Sequence, residues 1–234
     1  IPNPREWRLI NAWSIALCGA IITLVLLCTT GPQVYRDAII FLPDGLLLTF
    51  KVTAYSICGA VPLGLLTGLG RISRNRFFNL LASTYVEVIR GIPLLVQIFY
   101  IYFAISMLSF CYGAYMGEVF RAGILAIPHG QTEAARSLGF NRVQTMFYVV
   151  LPQAWRTIIP PVGNECIAML KDTALVSVIG MPDLMQRARS FASKSYCYFE
   201  SYAVVALVYL IITLILSKIV SIIEARLNHY DRKK

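Results

Sequence analysis

Charged residues are scarce in this chain. They account for 14% of its 234 residues, whereas a soluble domain carries about a quarter. The mean hydropathy is +0.65, and the apolar residues form long continuous runs rather than the short alternating segments of a membrane β-barrel. We therefore expect an all-α polytopic membrane protein in which residues 1–234 form one membrane domain.

Motifs for catalysis, phosphate binding and metal binding are also missing. The sequence contains no GxxxxGK[ST], HExxH or GxSxG motif and no spacing typical of metal ligands. The two histidines, His129 and His229, fall in predicted loop segments. We therefore expect no enzymatic activity, no metal site and no cofactor in this chain. Without a phosphate-binding loop, the chain itself is not expected to hydrolyse ATP.

Cysteine occurs six times but never as CxxC, and five of the six lie in apolar runs. Cysteine in such runs usually packs as a small hydrophobic residue. A disulfide between Cys28 and Cys197 is the alternative, because both fall near the same predicted outer face.

Six apolar segments are long enough to be membrane spans, and the first of them lies near the N-terminus. The first, second and sixth spans lie at about 7–29, 46–70 and 202–223. The third begins near Leu80, the fourth includes residues 110–125, and the fifth begins near Phe147.

One interval is short for this arrangement. Residues 91–128 number only 38, whereas two spans alone need ~40. The interval is therefore too short for two full spans and a loop.

Basic residues are distributed unevenly among the predicted loops. Three arginines lie within 71–76, Arg136 and Arg142 lie within 128–147, and four basic residues lie within 226–234. Loops rich in Lys and Arg stay in the cytoplasm. Six spans then place the 128–147 loop and the C-terminus on the cytoplasmic side.

A polar stretch, "EAARSLGFNRVQTMFYVVLP", separates two apolar segments at 133–152. Gly139 can end a first short helix in the left-handed conformation. Asn141, with Gln144 three residues later, matches the capping box that starts a second helix. The helix–glycine–helix unit suits a groove in another protein, and an amphipathic helix resting on lipid headgroups explains it equally well.

The same stretch resembles a known loop. The spacing of Glu133, Ala134, Ala135, Gly139 and a final Leu-Pro is similar to the EAA loop of permease subunits of ABC importers. The blocks "IRGIPLLVQIFYIYF", "YGAYMGEVFRAGI", "GNECIAMLKDTALVSVIG" and "LNHYDRKK" resemble the polar-amino-acid uptake permeases, the histidine, glutamate, glutamine, arginine and opine group. The resemblance covers a core of about 44–228, so the first span, at about 7–29, is an extra N-terminal one.

This resemblance implies a type I importer permease with a cytoplasmic coupling helix. Glu133, Ala134, Ala135, Arg136 and Gly139 would then contact an ATPase subunit. The implied partners are a second permease, identical or homologous, two ATP-binding cassette subunits and an extracytoplasmic amino-acid-binding protein. The two ATP-binding cassette subunits would bind the ATP and Mg that drive transport. The implied location is a bacterial inner membrane, and the implied substrate is a polar amino acid.

Four polar residues interrupt the fifth span: Asn164, Glu165, Lys171 and Asp172. An ionisable group at the bilayer centre costs ~3 kcal/mol or more, so it usually faces a cavity or a partner. On a helix, Glu165 and Asp172 share one face, and Asn164 and Lys171 share the neighbouring one. We predict that all four bind substrate, with Glu165 facing its ammonium group. For Lys171 and Asp172, pairing or contact with water is an equal alternative.

Local patterns predict several packing features. Pro160, Pro161 and Gly163 are expected to break the fifth helix. Glu118 with Arg121, and Glu87 with Arg90, are spaced as i,i+3 ion pairs. A Gly-xxx-Gly pattern at 64–68 predicts the close approach of another helix.

Three other functions compete with an importer permease. An ion-coupled secondary amino-acid carrier would be expected to show inverted repeats, and none is visible. An intramembrane enzyme would need paired catalytic groups, and none is apparent in the sequence. A scaffold protein that docks a partner without transport would leave the charged Glu165 in a span unexplained. The permease interpretation is therefore preferred.

The six-span orientation can be tested with introduced cysteines. In a background where the six native cysteines are replaced by alanine, cysteines at Ser73 and Thr132 should react with an impermeant maleimide only from the cytoplasmic side. A cysteine at Ser190 should react only from outside. The reverse pattern would contradict the predicted orientation.

Overall fold

The computed structural model describes residues 12–101 and 104–231, with the backbone alone for 228–231. Within these residues the protein is helical and contains no strand, as expected for an all-α membrane protein. The helices are α1 (Ala12–Thr30), α2 (Gln33–Phe41), α3 (Pro43–Ile72), α4 (Arg76–Gly91), α5 (Leu94–Tyr100), α6 (Ala104–Leu125), α7 (His129–Ser137), α8 (Arg142–Thr145), α9 (Leu151–Asp172), α10 (Leu184–Ser195) and α11 (Tyr198–Asp231). A π-helical turn, Met146–Val150, joins α8 to α9, and a 3₁₀ segment, Thr173–Ile179, follows α9.

The described residues contain more helices than the six predicted spans and the two predicted helices of the 128–147 loop, because further short helices lie between the longer ones. Each predicted span contains a helix, although residues 7–11 of the first lie outside the described part. Among the described residues, three stretches are long and apolar enough to cross a membrane: Ala12–Thr30, Gln33–Ile72 and Tyr198–Leu227. α6 and α9 have sufficient length, but their composition is more polar.

The third predicted span is not one straight helix. α4 and α5 meet at an angle of 105°, because Pro93 holds Ile92 in an extended conformation, as proline does to the residue before it. The buried Gln97 side chain donates hydrogen bonds to the carbonyls of Ile89 and Ile92, both at 2.7 Å. These bonds satisfy carbonyls that the break would otherwise leave without donors.

The described residues divide into two compact units. The first contains residues up to Phe50 and Val176–Lys218, and there α2 packs on α10. Asp183 caps α10 by accepting hydrogen bonds from the backbone N–H groups of Met185 at 3.3 Å and Gln186 at 2.9 Å. Burial raises the pKa of Asp183 to about 6, although these hydrogen bonds oppose the rise.

The second unit contains Lys51–Leu175 and the residues from Ile219 onward. Its centre is α6, which packs against α9, α4 and α5. α6 and α9 run antiparallel, since Phe120 meets Trp155 at a ring-centroid distance of 5.8 Å and Tyr112 meets Asp172 further along.

Small residues allow the helices of this unit to approach closely. A methyl group added at Gly64 would come within 2.6 Å of the Met116 Cβ atom, and one at Gly68 within 2.7 Å of the Phe120 Cβ atom. The close approach predicted for the 64–68 pattern is therefore confirmed, with α6 as the neighbouring helix.

The predicted helix break before Asn164 is wrong. α9 continues through Pro160 and Pro161 without interruption. A methyl group at Gly163 would come within 2.8 Å of the Val220 side chain. Gly163 therefore permits contact with α11, and packing on α6 and α11 supports the helix where the prolines remove backbone donors.

All six cysteines are free thiols in this structure. The alternative of a disulfide between Cys28 and Cys197 is therefore not realised here.

Candidate functional site

Two carboxylates of α9 face α6. Both Glu165 and Asp172 are half-buried, and they lie seven residues apart, so they share one side of the helix. The Tyr112 hydroxyl of α6 donates a hydrogen bond of 2.7 Å to Asp172. The packing of α6 on α9 thus fixes the direction in which these carboxylates point.

The Glu165 carboxylate lies in an environment with charges of both signs. Arg90 of α4 attracts it, and Asp172 repels it. The Arg90 guanidinium group lies 5.4 Å from the ring centroid of Tyr115, which is a cation–π distance. The rings of Tyr112 and Tyr115 lie 5.7 Å apart between centroids. We call these five residues, Arg90, Tyr112, Tyr115, Glu165 and Asp172, the carboxylate site.

Sequence reasoning found only the two acids of this site. It predicted that Arg90 pairs with Glu87, but the structure describes no ion pair between them, and Arg90 faces Tyr115 instead. The two tyrosines were missed. Their i,i+3 spacing in α6, which puts both rings on one side of the helix, was the available signal.

The other two predicted substrate residues lie outside the carboxylate site. Asn164 and Lys171 are exposed on the neighbouring face of α9, as their spacing predicted. The structure describes no carboxylate within ion-pair distance of Lys171. Both side chains are therefore free to contact another molecule or a second chain.

The helix–glycine–helix unit forms as the sequence predicted. Gly139 ends α7 with a positive φ of 91°. Its N–H donates to the Arg136 carbonyl at 3.0 Å, and the Phe140 N–H donates to the Ala135 carbonyl at 3.2 Å, which is the Schellman arrangement. Asn141 and Gln144 then form both hydrogen bonds of a capping box, each at 2.9 Å.

Most of the predicted coupling residues lie at the surface of this unit. Glu133, Ala134, Arg136 and Gly139 are exposed, whereas Ala135 is buried. Leu138 exposes 80% of its surface, Tyr148 73% and Phe147 60%. Large apolar side chains exposed together are typical of a surface that contacts a protein or a membrane.

We call the helix–glycine–helix unit formed by α7 and α8 the coupling unit. Its second helix, α8, and the two acids of the carboxylate site belong to one helical segment. α8 passes through the π turn into α9, where the Leu151 N–H donates to the Met146 carbonyl five residues earlier. The π turn lies just before Pro152, which cannot donate a backbone hydrogen bond. This segment, from Arg142 to Asp172, spans ~45 Å at ~1.5 Å per residue.

An ion-pair network joins α3 and α6. Glu118 pairs with Arg121, which confirms the predicted i,i+3 pair, and it also pairs with Arg71 at the end of α3. A carboxylate shared by two arginines links the end of α3 to α6. The second arginine was not predictable from spacing, because it is far away in the sequence.

No group of three or more potential metal ligands occurs among the side chains that the structure describes. The expectation that this chain carries no metal and no cofactor stays a prediction.

Comparison with known proteins gives a family match and several relatives. The model of the family described as "Binding-protein-dependent transport system inner membrane component" matches residues 60–229. The putative glutamine transport system permease protein GlnP of Rickettsia bellii (strain RML369-C) is 36% identical over 208 residues, covering 82% of this chain and 95% of that protein. The L-cystine transport system permease protein TcyB of Bacillus subtilis (strain 168) is 36% identical over 207 residues, covering 82% and 88%.

A solved structure is also similar. It is described as an amino acid ABC transporter with histidines, and it is 40% identical with a TM-score of 0.76. The similarity covers 82% of this chain and 96% of that chain.

Proposed function

Because the chain belongs to the family of inner membrane components of binding-protein-dependent transport systems, we propose that it forms the translocation path for polar amino acids in an ATP-driven importer. Family membership confirms the resemblance found in the sequence and disfavours the ion-coupled carrier. The chain is a permease component rather than an enzyme. It lacks a phosphate-binding loop, so ATP hydrolysis belongs to partner subunits.

The carboxylate site is the single observation that carries the substrate assignment. An amino acid has an ammonium group and a carboxylate, and Glu165 and Arg90 offer the two opposite charges. The ammonium group would face Glu165, and the substrate carboxylate would face Arg90. Half-buried charged groups in a span are costly unless they have a partner, and the substrate would supply one.

Asn164, Lys171 and Asp172 complete the proposed substrate path. Asp172 is held by Tyr112 and adds negative charge beside Glu165. Asn164 and Lys171, on the exposed face of α9, would line the path that two permease subunits enclose. The relatives named glutamine and L-cystine permeases support an amino-acid substrate for such a path.

The coupling unit would dock on an ATPase subunit in the cytoplasm. Glu133, Ala134, Arg136 and the exposed Leu138 would form the contact, with Gly139 as the joint and the buried Ala135 as internal packing. Basic residues around this unit support a cytoplasmic location for it and for the C-terminus.

We further propose the assembly in which this chain works. A second permease, identical or homologous, would pair with it, two ATPase subunits would bind the coupling units, and an extracytoplasmic binding protein would deliver the amino acid. The family description, which names a binding-protein-dependent transport system, supports the last partner.

The substrate assignment is tested by Glu165→Gln, which keeps the side-chain shape and removes its charge. We expect ATP-dependent uptake of radiolabelled amino acids by the reconstituted transporter to fall at least about tenfold, the scale of one lost charge-assisted hydrogen bond. Cationic amino acids should be affected most, while assembly and basal ATP hydrolysis are retained.

Glu87→Gln is the matched control, because Glu87 is an exposed carboxylate of α4 outside the carboxylate site. It should transport like the unmodified protein. Unchanged uptake of every amino acid by Glu165→Gln would remove Glu165 from the path, and loss of assembly would indicate a structural ion pair instead.

The coupling assignment is tested by Gly139→Val. No atom lies within 4 Å of a methyl group added there, so the substitution acts through the positive φ, which a β-branched residue disfavours. We expect weaker copurification of the ATPase subunits, or ATP hydrolysis that no longer drives uptake, with normal amounts of the permease in the membrane.

The control is Gly130→Val, since Gly130 also has open space around it but has no positive φ. It should leave coupling intact. Normal substrate-stimulated hydrolysis and uptake in Gly139→Val would argue against a coupling role for this unit.

A further inference from the structure

A groove of about 640 Å³ lies beside the coupling unit. It runs between the ends of α3 and α6 on one side and α7, α8 and the π turn on the other. We call it the basic groove, because Arg74, His129, Arg136 and Arg142 line it. The carboxylate site contributes no residue to it, so the groove is a separate feature.

The arginines of the basic groove have no ionic partner in the described part of the chain. They come from three segments: Arg74 follows α3, Arg136 belongs to α7 and Arg142 starts α8. No Asp or Glu lines the groove. Arg71 shows the contrast, because Glu118 neutralises it nearby. Three unpaired guanidinium groups around one groove favour a ligand with negative charge.

The rest of the wall is mostly apolar. Ile72 and Leu125 come from the last turns of α3 and α6, and Val143 and Phe147 come from the opposite side. Both α3 and α6 end at this groove, and Arg74 follows directly after α3. A ligand here meets arginine and apolar side chains on both sides of the groove.

We propose that the basic groove binds the headgroup of an anionic phospholipid. Its phosphate would accept hydrogen bonds from Arg74 and Arg142, which bind phosphate oxygens in the way guanidinium groups do. The start of its acyl chains would lie along Ile72 and Leu125. Basic pockets between span ends are the sites at which anionic lipid headgroups bind.

A segment of the ATPase subunit is the competing occupant, and two observations disfavour it. Of the four residues in the proposed ATPase contact, Arg136 lines the groove, but Glu133, Ala134 and Leu138 do not. Apolar walls at the span ends also match an acyl chain better than an acidic peptide. A bound lipid would brace the coupling unit against α3 and α6, and this holds whatever the transported substrate is.

The test uses the full chain, purified with the subunits that accompany it. Native mass spectrometry would follow titrations with dioctanoyl phosphatidylglycerol, dioctanoyl phosphatidylcholine and glycerol 1-phosphate. We expect one saturable phosphatidylglycerol per permease chain. Phosphatidylcholine, which has no net charge, and glycerol 1-phosphate, which has no acyl chain, should each bind at least about tenfold more weakly.

Variants connect this binding to the groove. Arg74→Gln combined with Arg142→Gln should weaken phosphatidylglycerol binding at least about tenfold. Arg76→Gln, an exposed arginine of α4 that does not line the groove, should leave it unchanged. Arg74→Lys keeps the positive charge, and lysine also binds phosphate, so this variant should retain binding within about threefold. Retained binding would show that the loss in the double variant comes from the lost charge and not from misfolding.

Several results would overturn the proposal. Equal phosphatidylglycerol affinity in the double variant would place the lipid elsewhere. Equal affinity for phosphatidylcholine would mean that the charge is irrelevant, and equal affinity for glycerol 1-phosphate would indicate a soluble phosphate ligand. Binding that appears only after the ATPase subunits are removed, with release of those subunits by the double variant, would assign the groove to the ATPase.

Discussion

The packing of α6 on α9 is the constraint on which the candidate site depends. A methyl group at Gly123 would collide with the Ile158 side chain, so the two helices approach closely there, and Phe120 meets Trp155 near the same end. At the other end the Tyr112 hydroxyl bonds Asp172. Small residues and van der Waals contact hold spans together where no hydrophobic effect can do so. This register brings Glu165 within electrostatic range of Tyr115 and Arg90.

A continuous helical segment also connects α8 of the coupling unit with Glu165 and Asp172. The α8–π–α9 segment is continuous from Arg142 to Asp172, and its middle packs against α6. A π turn adds one residue to a helical turn and often occurs at functional positions. In the proposed mechanism, a displacement of α8 would reach Glu165 along this continuous segment rather than through a chain of loops. The basic groove lies at the start of this segment, where a bound lipid would resist the displacement.

The sequence predicted the local features well, because they depend on neighbouring residues. Gly139, Asn141 and the Glu118–Arg121 pair required only turn chemistry and helical spacing. The errors arose where distant packing decides the outcome. Pro160 and Pro161 argued for a break, but contacts with α6 and α11 keep α9 helical, and Pro93 bent a segment whose composition looked like one span. Tyr112, Tyr115 and Arg90 could not be joined to Glu165 without the fold, since spacing carries no information about which helices meet.

The continuity of α9 through its prolines is the claim that most directly supports this account. It can be tested by double electron–electron resonance, which measures the distance between spin labels at Val143 and Lys171. These are two exposed positions on either side of the prolines. The labels should be introduced with the native cysteines replaced and with labelled permease diluted by unlabelled copies. A continuous helix predicts a single narrow distance of about 40 Å, from 28 intervening steps of ~1.5 Å. A distance below about 30 Å, or a broad distribution, would mean that the helix breaks at Pro160–Gly163 and would contradict the account.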